Sequence, residues 1–275
     1  MAPASAIPGV IAFLSDYGLR DEFAGVCHGV MLARCPAARI IDLTHEIPRH
    51  DVRAGAIVLR SSLRYMPAAV QLAVVDPGVG MRSRRAVALR TAEGRLLVGP
   101  DNGLLMLAAG ALGGVAEAVD VGDSPERLEP VSSTFHGRDI FSPVAASLAA
   151  GAALADVGVA LDPRLLTGLE LPAARVESGA LVAHVLLCDA FGNLLLDASP
   201  AQLASLPAGP AGTLAVRSGG AEHAATHARA FGDVVEGELL LYEDSHGSLA
   251  LAVNRGSAAE LLGAGRDDEL RVRPA

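Results

Sequence analysis

The first two-thirds of the chain alternates short, continuous apolar runs with longer segments whose apolar residues recur at helical spacing. The runs at residues 9–14, 39–43 and 70–75 have the length of strands. Segments 22–35 and 52–65, which lie between them, have the period of amphipathic helices. Continuous apolar strands predict a sheet that is covered on both faces, and the alternation with helices predicts an α/β domain.

The last part of the chain has a different sequence pattern, in which turn residues separate short strand-like runs. These runs lie at residues 180–187, 193–196, 213–216, 238–242, 248–253 and 269–273. This spacing is typical of an antiparallel barrel or sandwich. We therefore predict an α/β domain at residues 1–170 and a smaller, mostly antiparallel, β-barrel-like domain at residues 171–275.

Composition excludes several classes of protein. Hydrophobic residues make up 51% of the chain, which is ample for packed cores, so a disordered protein is excluded. All 22 basic residues are arginine, which excludes chemistry that depends on a Schiff-base or phosphate-loop lysine. Because 31 acidic residues leave a net charge of −9, nucleic acid and anionic membranes are poor partners.

Three cysteines, Cys27, Cys35 and Cys188, are spaced too widely for a metal site and are an odd number for a disulfide scaffold. The N-terminus lacks the basic region of a secretory signal and reaches Asp16 early. No uninterrupted apolar stretch is long enough to span a bilayer. These features predict a cytoplasmic protein.

Polar residues stand directly after three of the predicted strands. Asp16 follows the first strand, His45 closely follows the second, and Asp76 follows the third. In α/β sheets ligands bind outside the carboxyl ends of the strands, so these positions predict a site. Asp and Gly are also common in ordinary strand-to-helix turns, which leaves a plain turn as the alternative.

The segment after the third strand is the most unusual of the three. Its sequence, DPGVGMRSRR, begins at Asp76 and brings the guanidinium groups of Arg82, Arg84 and Arg85 close to one carboxylate. A turn requires Gly and Pro, but it does not require an acid and several arginines. The GVG run lacks the third glycine of a dinucleotide-binding turn, so a cofactor of that kind is not indicated.

Two later segments carry groups that are suited to chemistry or binding. SSTFHGRDIF contains His136, whose side chain handles protons near neutral pH; the alternative is a solvated loop with Asp139 as a helix cap. DAFGN contains Asp189, which could bind an ammonium group, and Asn193, which could bind a base edge. Phe191 lies between them and could stack or pack, and a plain β-turn is the alternative for this segment.

The histidine patterns do not predict a metal site. His223 and His227 have the i, i+4 spacing of a helical metal pair, but the Ala and Thr residues between them indicate a strand or loop. The histidines and acids of residues 45–51 match no known ligand spacing, so a metal cluster there is the weaker alternative. We therefore expect no metal.

Seven motifs occur in one order along residues 9–273: LSDYG, DLTHEIPRHDVRAGA, VVDPGVG…RRA, VGPDNG, SSTFHGRDIF, DAFGN and SHGSLALAVNRGSAAELLG. Together they resemble the S-adenosyl-L-methionine (SAM) hydrolases, also called SAM hydroxide adenosyltransferases. The SAM-dependent fluorinase and chlorinase are related to that family. The resemblance implies a homotrimer whose sites lie between the N-terminal domain of one chain and the C-terminal domain of its neighbour.

The family carries a catalytic Asp, Arg and His. The resemblance assigns these roles to Asp76 in DPGVG, Arg84 in RRA and His136 in TFHGRD. One extra residue stands between DPGVG and RRA here, so Arg82 and Arg85 stay open as alternatives to Arg84. The halogenating relatives have Tyr in place of Asp76 and lack the His, so the chain resembles the hydroxide-transferring branch.

The resemblance also assigns the substrate contacts. Asp16 matches the carboxylate that binds both ribose hydroxyls, and Asp189 matches the acid that binds the methionine ammonium. Asn193 matches the residue that reads the adenine edge. Ser245 matches the hydroxyl that contacts the amino-acid end, and the backbone of Arg255 matches a contact to adenine. Phe191 and Phe231 match hydrophobic walls of the site.

These assignments predict that the protein hydrolyses SAM to adenosine and L-methionine without a cofactor. Methionine leaves as a neutral thioether, so the difficulty lies in activating a water that attacks C5′. Asp76 and His136 would orient or deprotonate this water, and Arg84 would stabilise developing hydroxide. A SAM-dependent halogenase and a SAM- or adenosine-binding sensor without turnover are the alternatives.

Overall fold

The computed structural model describes residues 9–207 and 212–275. The chain forms two compact units, Met1–Leu169 and Glu170–Ala275. Residues 1–8, on which the prediction about a secretory signal partly rests, lie outside the described residues. In the described part of the chain, no helix combines the length and the apolar character that crossing a bilayer requires.

The first unit is a seven-stranded mixed sheet with helices. Its strands are β1 Val10–Ser15, β2 Arg39–Thr44, β3 Val70–Val74, β4 Ala86–Thr91, β5 Leu96–Pro100, β6 Val115–Asp120 and β7 Val159–Leu161. Its helices are α1 Phe23–Arg34, α2 Val52–Ser62, α3 Met106–Ala111, α4 Ser142–Ala149 and α5 Leu154–Val157, with short 3₁₀ turns at Leu63–Tyr65 and Pro163–Leu165 and a π-helical turn at Gly137–Phe141. The strand order is β2-β1-β3-β5-β4-β6-β7, in which the first four are parallel and the others pair antiparallel.

Helices cover both faces of this sheet, as the continuous apolar strands predict. On one face α1 packs on α4, and buried Met31 lies in the same core as Phe13 of β1. On the other face α2 packs on α3, and Gly55 of α2 faces Leu14 of β1. Successive residues of β1 therefore point to different cores, as the two-residue period of a strand requires.

The second unit is a closed β-barrel. Its strands are β8 Arg175–Glu177, β9 Ala180–Cys188, β10 Leu194–Leu196, β11 Thr213–Ser218, β12 Ala221–His227, β13 Leu239–Glu243, β14 Leu249–Val253 and β15 Glu269–Pro274. The helices are α6 Pro200–Ala204 and α7 Ala258–Leu262, with a 3₁₀ turn at Phe231–Asp233. The order is β10-β14-β13-β12-β11-β15-β9, and pairing of β9 with β10 closes the ring, while β8 adds to β9 outside it. Among the strands that the structure describes in this unit, β12 and β13 pair in parallel and the other pairs are antiparallel.

The predicted fold class is confirmed for both units, but several element predictions differ from the structure. The apolar spacing of residues 140–153 also predicts a helix, but the structure begins this segment with the π-helical turn Gly137–Phe141, and α4 ends at Ala149, just before Gly151 with its φ of +103°. The strand β6 was not predicted, and β12 was predicted only as a strand or a loop. Their alanine-rich and polar sequences carry little strand signal, and pairing with β4 and β11 specifies them instead.

Candidate active site

The three strand ends that carry polar residues lie next to one another. β2, β1 and β3 are neighbouring parallel strands, so their carboxyl ends share one edge of the sheet. Asp16 follows β1, and its Oδ2 accepts a hydrogen bond of 2.9 Å from the backbone N–H of His50. Asp76 follows β3 after one further residue. This edge therefore presents two carboxylates in the region where α/β sheets bind ligands.

Asp76, Arg84 and His136 form one cluster, although they are distant in sequence. Nη2 of Arg84 lies 2.7 Å from Oδ2 of Asp76 and 2.6 Å from Nδ1 of His136. The side chains of Asp76 and Arg84 are only 6% and 7% exposed. Because a guanidinium has no acceptor, Nδ1 of His136 accepts the hydrogen bond, and the neutral ring then carries its proton on Nε2.

Burial controls the protonation of this cluster. Desolvation raises the pKa of Asp76 above its usual value, although the neighbouring Arg84 opposes the shift. Desolvation also lowers the pKa of His136, and the positive charge of Arg84 adds to that effect. Arg84 and the backbone N–H of Gly78 stabilise the charged form, but an ionised carboxylate offers about four acceptor positions, so Asp76 retains lone pairs that can accept further hydrogen bonds. A carboxylate with a raised pKa and available lone pairs is suited to accept a proton.

Two glycines allow the loop that carries His136 to lie against the strand ends. A Cβ on Gly137 would overlap the hydroxyl oxygen of Tyr17, and a Cβ on Gly80 would overlap the carbonyl oxygen of Ser133. Gly80 also has a φ of +79°, a conformation that favours glycine. Both glycines are therefore needed for the close approach of three separate segments.

The buried side chain of Asp139 fixes the same loop through hydrogen bonds. Its side chain is 2% exposed, and its Oδ2 accepts a hydrogen bond of 2.8 Å from the backbone N–H of Ser132. Its Oδ1 accepts a second hydrogen bond of 2.6 Å from Nε of Arg138. Asp139 lies inside the π-helical turn Gly137–Phe141, so the alternative that it caps a helix is wrong.

The VGPDNG segment contacts the residues next to the cluster, Val75 and Arg85, a role that the sequence analysis did not assign. Nδ2 of Asn102 donates a hydrogen bond of 2.8 Å to the carbonyl oxygen of Val75, the residue before Asp76. Oδ2 of Asp101 accepts a hydrogen bond of 2.8 Å from Nε of Arg85. The Asp-Asn pair directly after a strand is the sequence feature that could have indicated this role. Its hydrogen-bond partners are distant in sequence, so the sequence alone does not identify them.

The geometry distinguishes the three candidate arginines. Arg85 is engaged by Asp101, and Arg82 is exposed. In the part of the chain that the structure describes, Arg84 is the one of the three that contacts both Asp76 and His136.

A cavity of about 390 Å³ opens beside the cluster, which is large enough for part of a small organic ligand. Asp16, Tyr17, Asp76 and His136 are among the residues that line it. Tyr17 was not predicted as a site residue. Burial raises its pKa well above the usual value, so the phenol stays protonated and can donate a hydrogen bond.

A second and larger cavity, of about 630 Å³, lies beside Arg84 and His136. Its lining also includes Arg82, Arg85 and Arg127. Since His136 lines both cavities, the imidazole lies between them. The 390 Å³ cavity is the better candidate for the site because it contains both strand-end carboxylates, Asp16 and Asp76.

In the second unit, three of the predicted substrate-binding residues, Asp189, Phe191 and Asn193, lie in an exposed turn after β9. Oδ1 of Asp189 accepts hydrogen bonds of 2.9 Å from the backbone N–H groups of Phe191 and Asn193. Nδ2 of Asn193 donates a hydrogen bond of 2.8 Å to the other carboxylate oxygen. The ring of Phe191 is 79% exposed. The carboxylate thus orders a turn whose aromatic and amide groups remain accessible.

The turn that contains Arg255 lies at the same end of the barrel. The backbone N–H of Ala259, in the helix α7 that follows the Arg255 turn, donates a hydrogen bond of 3.0 Å to the carbonyl oxygen of Gly192. The Arg255 side chain is 76% exposed and pairs with Glu236 at 3.2 Å. Its φ of +56° gives the backbone at this position a left-handed conformation.

The last two predicted contacts, Phe231 and Ser245, lie in other turns of the barrel. Phe231 packs against Tyr242, with ring centroids 5.2 Å apart. Ser245 lies in the turn between β13 and β14, at the end of β14 opposite to Arg255. The structure therefore places Asp189, Phe191, Asn193 and Arg255 in neighbouring segments at one end of β10 and β14.

The residues that could hold a metal are not the two sets that the sequence analysis considered and disfavoured. His223 and His227 lie on β12, as their neighbours predict. Within residues 9–207 and 212–275, one group of at least three possible ligands lies close together, formed by His28, Asp42 and His45. His45 thus meets Asp42 and His28 rather than the acids and histidine of residues 46–51.

The fold and the site define a two-unit protein with a buried Asp–Arg–His cluster at the strand ends of an α/β unit and exposed, ordered turns on a β-barrel. The profile for the SAM hydroxide adenosyltransferase N-terminal domain matches residues 11–158, and that for the C-terminal domain matches residues 183–271. The chain belongs to the SAM hydroxide adenosyltransferase family. This membership confirms the resemblance that the seven motifs indicate.

Proteins similar to this chain carry two kinds of name. The (R)-S-adenosyl-L-methionine hydrolase of Salinispora tropica is 52% identical over 95% of this chain and 97% of its own length. The hydrolase of the same name from Thermus thermophilus is 40% identical over 92% of this chain and 95% of its own length. A fluorinase from Nocardia brasiliensis is 30% identical over 91% and 92% of the two chains.

A crystal structure of an uncharacterized conserved protein from Thermotoga maritima is also similar. It has a TM-score of 0.89 and 39% identity, and it covers 96% of this chain and 99% of its own.

Proposed function

We propose that this protein hydrolyses SAM to adenosine and L-methionine through attack of a water on C5′. The observation that carries the proposal is the contact of Arg84 with both Asp76 and His136, beside a cavity that Asp16 also lines. The near-full-length similarity to proteins named hydrolases supports it further.

The proton of the attacking water goes to Asp76. As the water oxygen bonds to C5′, the C5′–S electron pair passes to sulfur, and methionine leaves as a neutral thioether. The departing group therefore needs no acid, whereas the water must lose one proton. Asp76 has a raised pKa and available lone pairs, but the Nδ1 lone pair of His136 is occupied by Arg84. His136 is thus better suited to orient the water through Nε2–H than to deprotonate it.

Arg84 has two effects on this step. Its charge opposes protonation of Asp76 before the reaction, and it stabilises negative charge that develops on the water oxygen. Both effects are strong in a site that excludes bulk water, because the local dielectric is low.

The substrate contacts follow the family assignments. We propose that Asp16 binds the ribose hydroxyls, Asp189 and Ser245 bind the amino-acid end, and Asn193 binds adenine. The backbone of Arg255 and the rings of Phe191 and Phe231 complete the set. The names of the hydrolase relatives indicate the R configuration at sulfur as the preferred epimer.

We also propose a homotrimer with its sites at subunit interfaces and no cofactor. The division of candidate residues supports the trimer, since the nucleophile-activating groups lie in the first unit and the adenine and methionine contacts in the second. The three side chains of the cluster supply a base, a donor and a positive charge, which is why the reaction requires no cofactor. An active monomer by light scattering at assay concentration would contradict the trimer.

A cytoplasmic location is proposed as well. The three cysteines Cys27, Cys35 and Cys188 are free thiols, as is usual in a reducing compartment. Cell fractionation with an antibody against the protein tests this location.

Halide transfer is the weaker reaction for this site. A halide ion brings no proton to remove, and the buried carboxylate of Asp76 would repel it. A sensor without turnover is disfavoured because Asp76, Arg84 and His136 are in contact and complete.

The experiment is incubation of the protein with SAM in H₂¹⁸O, with and without chloride, followed by mass spectrometry. We expect adenosine with ¹⁸O at the 5′ position, equimolar methionine and no effect of chloride. A 5′-chloro nucleoside would show halide transfer, and tightly bound but intact SAM would show a sensor.

A further inference from the structure

A group of possible metal ligands lies outside the proposed reaction. Nε2 of His28, on α1, lies 2.9 Å from Oδ1 of Asp42, on β2. Nε2 of His45, just after β2, lies 3.1 Å from the same oxygen. The three ligand atoms all lie within 4.8 Å of one another.

Contacts with Ser15 and Phe13 fix the His45 ring in this position. Its side chain is 1% exposed, its Nδ1 lies 2.7 Å from Oγ of Ser15, and its ring packs edge-on against Phe13 with centroids 4.6 Å apart. Nε2 points towards the group and is buried without an aligned hydrogen bond. Its contact with Asp42 at 3.1 Å is not an aligned hydrogen bond, and a buried polar atom without a well-aligned hydrogen bond is costly, so a ligand for this nitrogen would stabilise the site.

We propose that His28, Asp42 and His45 bind one divalent transition-metal ion, with Zn²⁺ as the best-matched ion. Two imidazole nitrogens and one carboxylate oxygen are a ligand set that zinc uses, with a fourth position left for water. Tetrahedral bonds of about 2.0–2.1 Å place ligand atoms roughly 3.3 Å apart, so the two separations from Asp42, 2.9 and 3.1 Å, need only a small expansion. Oγ of Ser15 would accept Nδ1–H of His45 and thereby direct the Nε2 lone pair to the ion.

The site is accessible and lies beside the proposed ribose contact. The side chains of His28 and Asp42 are 29% and 41% exposed, which gives an ion a route from solvent. Ser15 directly precedes Asp16, and the carbonyl oxygen of His45 accepts a hydrogen bond of 2.7 Å from the backbone N–H of Gly18. A bound ion would therefore rigidify the segment that holds Asp16 without taking part in the attack on C5′.

The test measures zinc directly and does not depend on the proposed reaction. Tag-free protein is stripped with EDTA, dialysed against ZnCl₂ and analysed for zinc per chain, and Co²⁺ is used separately for its visible absorption spectrum. We expect one ion per chain, a tetrahedral Co²⁺ spectrum, and a Tm that rises with zinc concentration.

Two variants separate a metal site from a plain hydrogen-bonded group. His28→Gln keeps a donor for Asp42 but removes a good zinc ligand, and Asp42→Asn removes the anionic ligand. Each should weaken zinc binding by more than the roughly 10–100-fold that loss of a second-shell partner costs. His223→Gln on β12 is the matched control and should bind zinc as the wild type does.

The proposal is overturned if the wild type holds no more zinc than His28→Gln, or if zinc leaves the Tm of both proteins unchanged. Either result would mean that the three side chains only hydrogen-bond to one another. Loss of SAM turnover with zinc binding intact would instead count against the proposed function alone.

Discussion

The two units present their candidate functional residues in opposite ways. In the first unit, Asp76 and Arg84 are almost fully buried and meet His136 from a distant part of the chain. In the second unit, Asp189 and Asn193 bond to each other within one exposed turn. A group that must accept a proton gains from desolvation, which requires long-range packing, whereas a group that binds a polar substrate must stay open to solvent.

This difference predicts two kinds of kinetic effect. Substitutions in the buried cluster should lower kcat and leave SAM affinity nearly unchanged. Substitutions in the exposed turn should weaken SAM affinity and leave kcat nearly unchanged. Asp16 provides an internal test, since it belongs to the first unit but is proposed to bind substrate.

The largest effect is expected for Asp76→Ala. Loss of the proton acceptor should lower kcat by about 10²–10⁴, while the Kd for SAM changes little because the carboxylate faces the nucleophile. Single-turnover kinetics, calorimetry and Tm on the same preparation measure the three quantities. Asp123→Ala, at a carboxylate that is 94% exposed, is the control. Full turnover by a folded Asp76→Ala variant would contradict the proposed mechanism.

The second largest effect is expected for Asp16→Ala, and it should fall on binding. A carboxylate that accepts two ribose hydroxyls makes charge-assisted hydrogen bonds, so its loss should weaken SAM binding by about 1.5–3 kcal/mol. That corresponds to a roughly 10–150-fold rise in Kd, measured by calorimetry. An unchanged Kd would make Asp16 a strand-end residue that only holds His50.

A smaller effect is expected for Asp189→Asn in the exposed turn. The amide oxygen can still accept the backbone hydrogen bonds from Phe191 and Asn193, so the turn should persist while the negative charge is lost. Because the ion pair with the methionine ammonium is close to solvent, we expect a loss of about 1 kcal/mol, or roughly fivefold in Kd. A fall in kcat without a change in Kd would break the contrast between the units.

The smallest effect is a displacement of the acid limb of the pH–kcat profile. Asp76 must be ionised to act, and its pKa is raised, so activity should begin to fall at a higher pH than for an ordinary Asp. The pKa of His136 is lowered, so protonation of its ring is displaced to lower pH. Steady-state rates measured from pH 4 to 8 in constant-ionic-strength buffer test the displacement of the acid limb. Asp189→Asn should have the wild-type profile, and an acid limb that moves with Asp189→Asn would contradict the assignment to Asp76.

Much of the fold is predictable from local sequence. Continuous apolar runs indicate β1, β2 and β3, and helical spacing indicates α1 and α2, because burial on a sheet face and on one helix face imposes those periods. The short spacing of turn residues likewise indicates the β-rich second unit. The alanine-rich β6 and β12 are not predictable in this way, since partner strands specify them.

The sequence by itself determined which chemical groups are available: a strand-end acid at Asp76, three nearby arginines, a loop histidine and an ordered motif set that identifies the family. Only the tertiary structure decided that Arg84, rather than Arg82 or Arg85, contacts Asp76 and His136. It also decided that His45 meets Asp42 and the distant His28 rather than the acids and histidine of residues 46–51. The physical reason is that spacing along a chain constrains periodicity and turns, whereas burial, pKa and side-chain contacts depend on segments that the fold alone brings together.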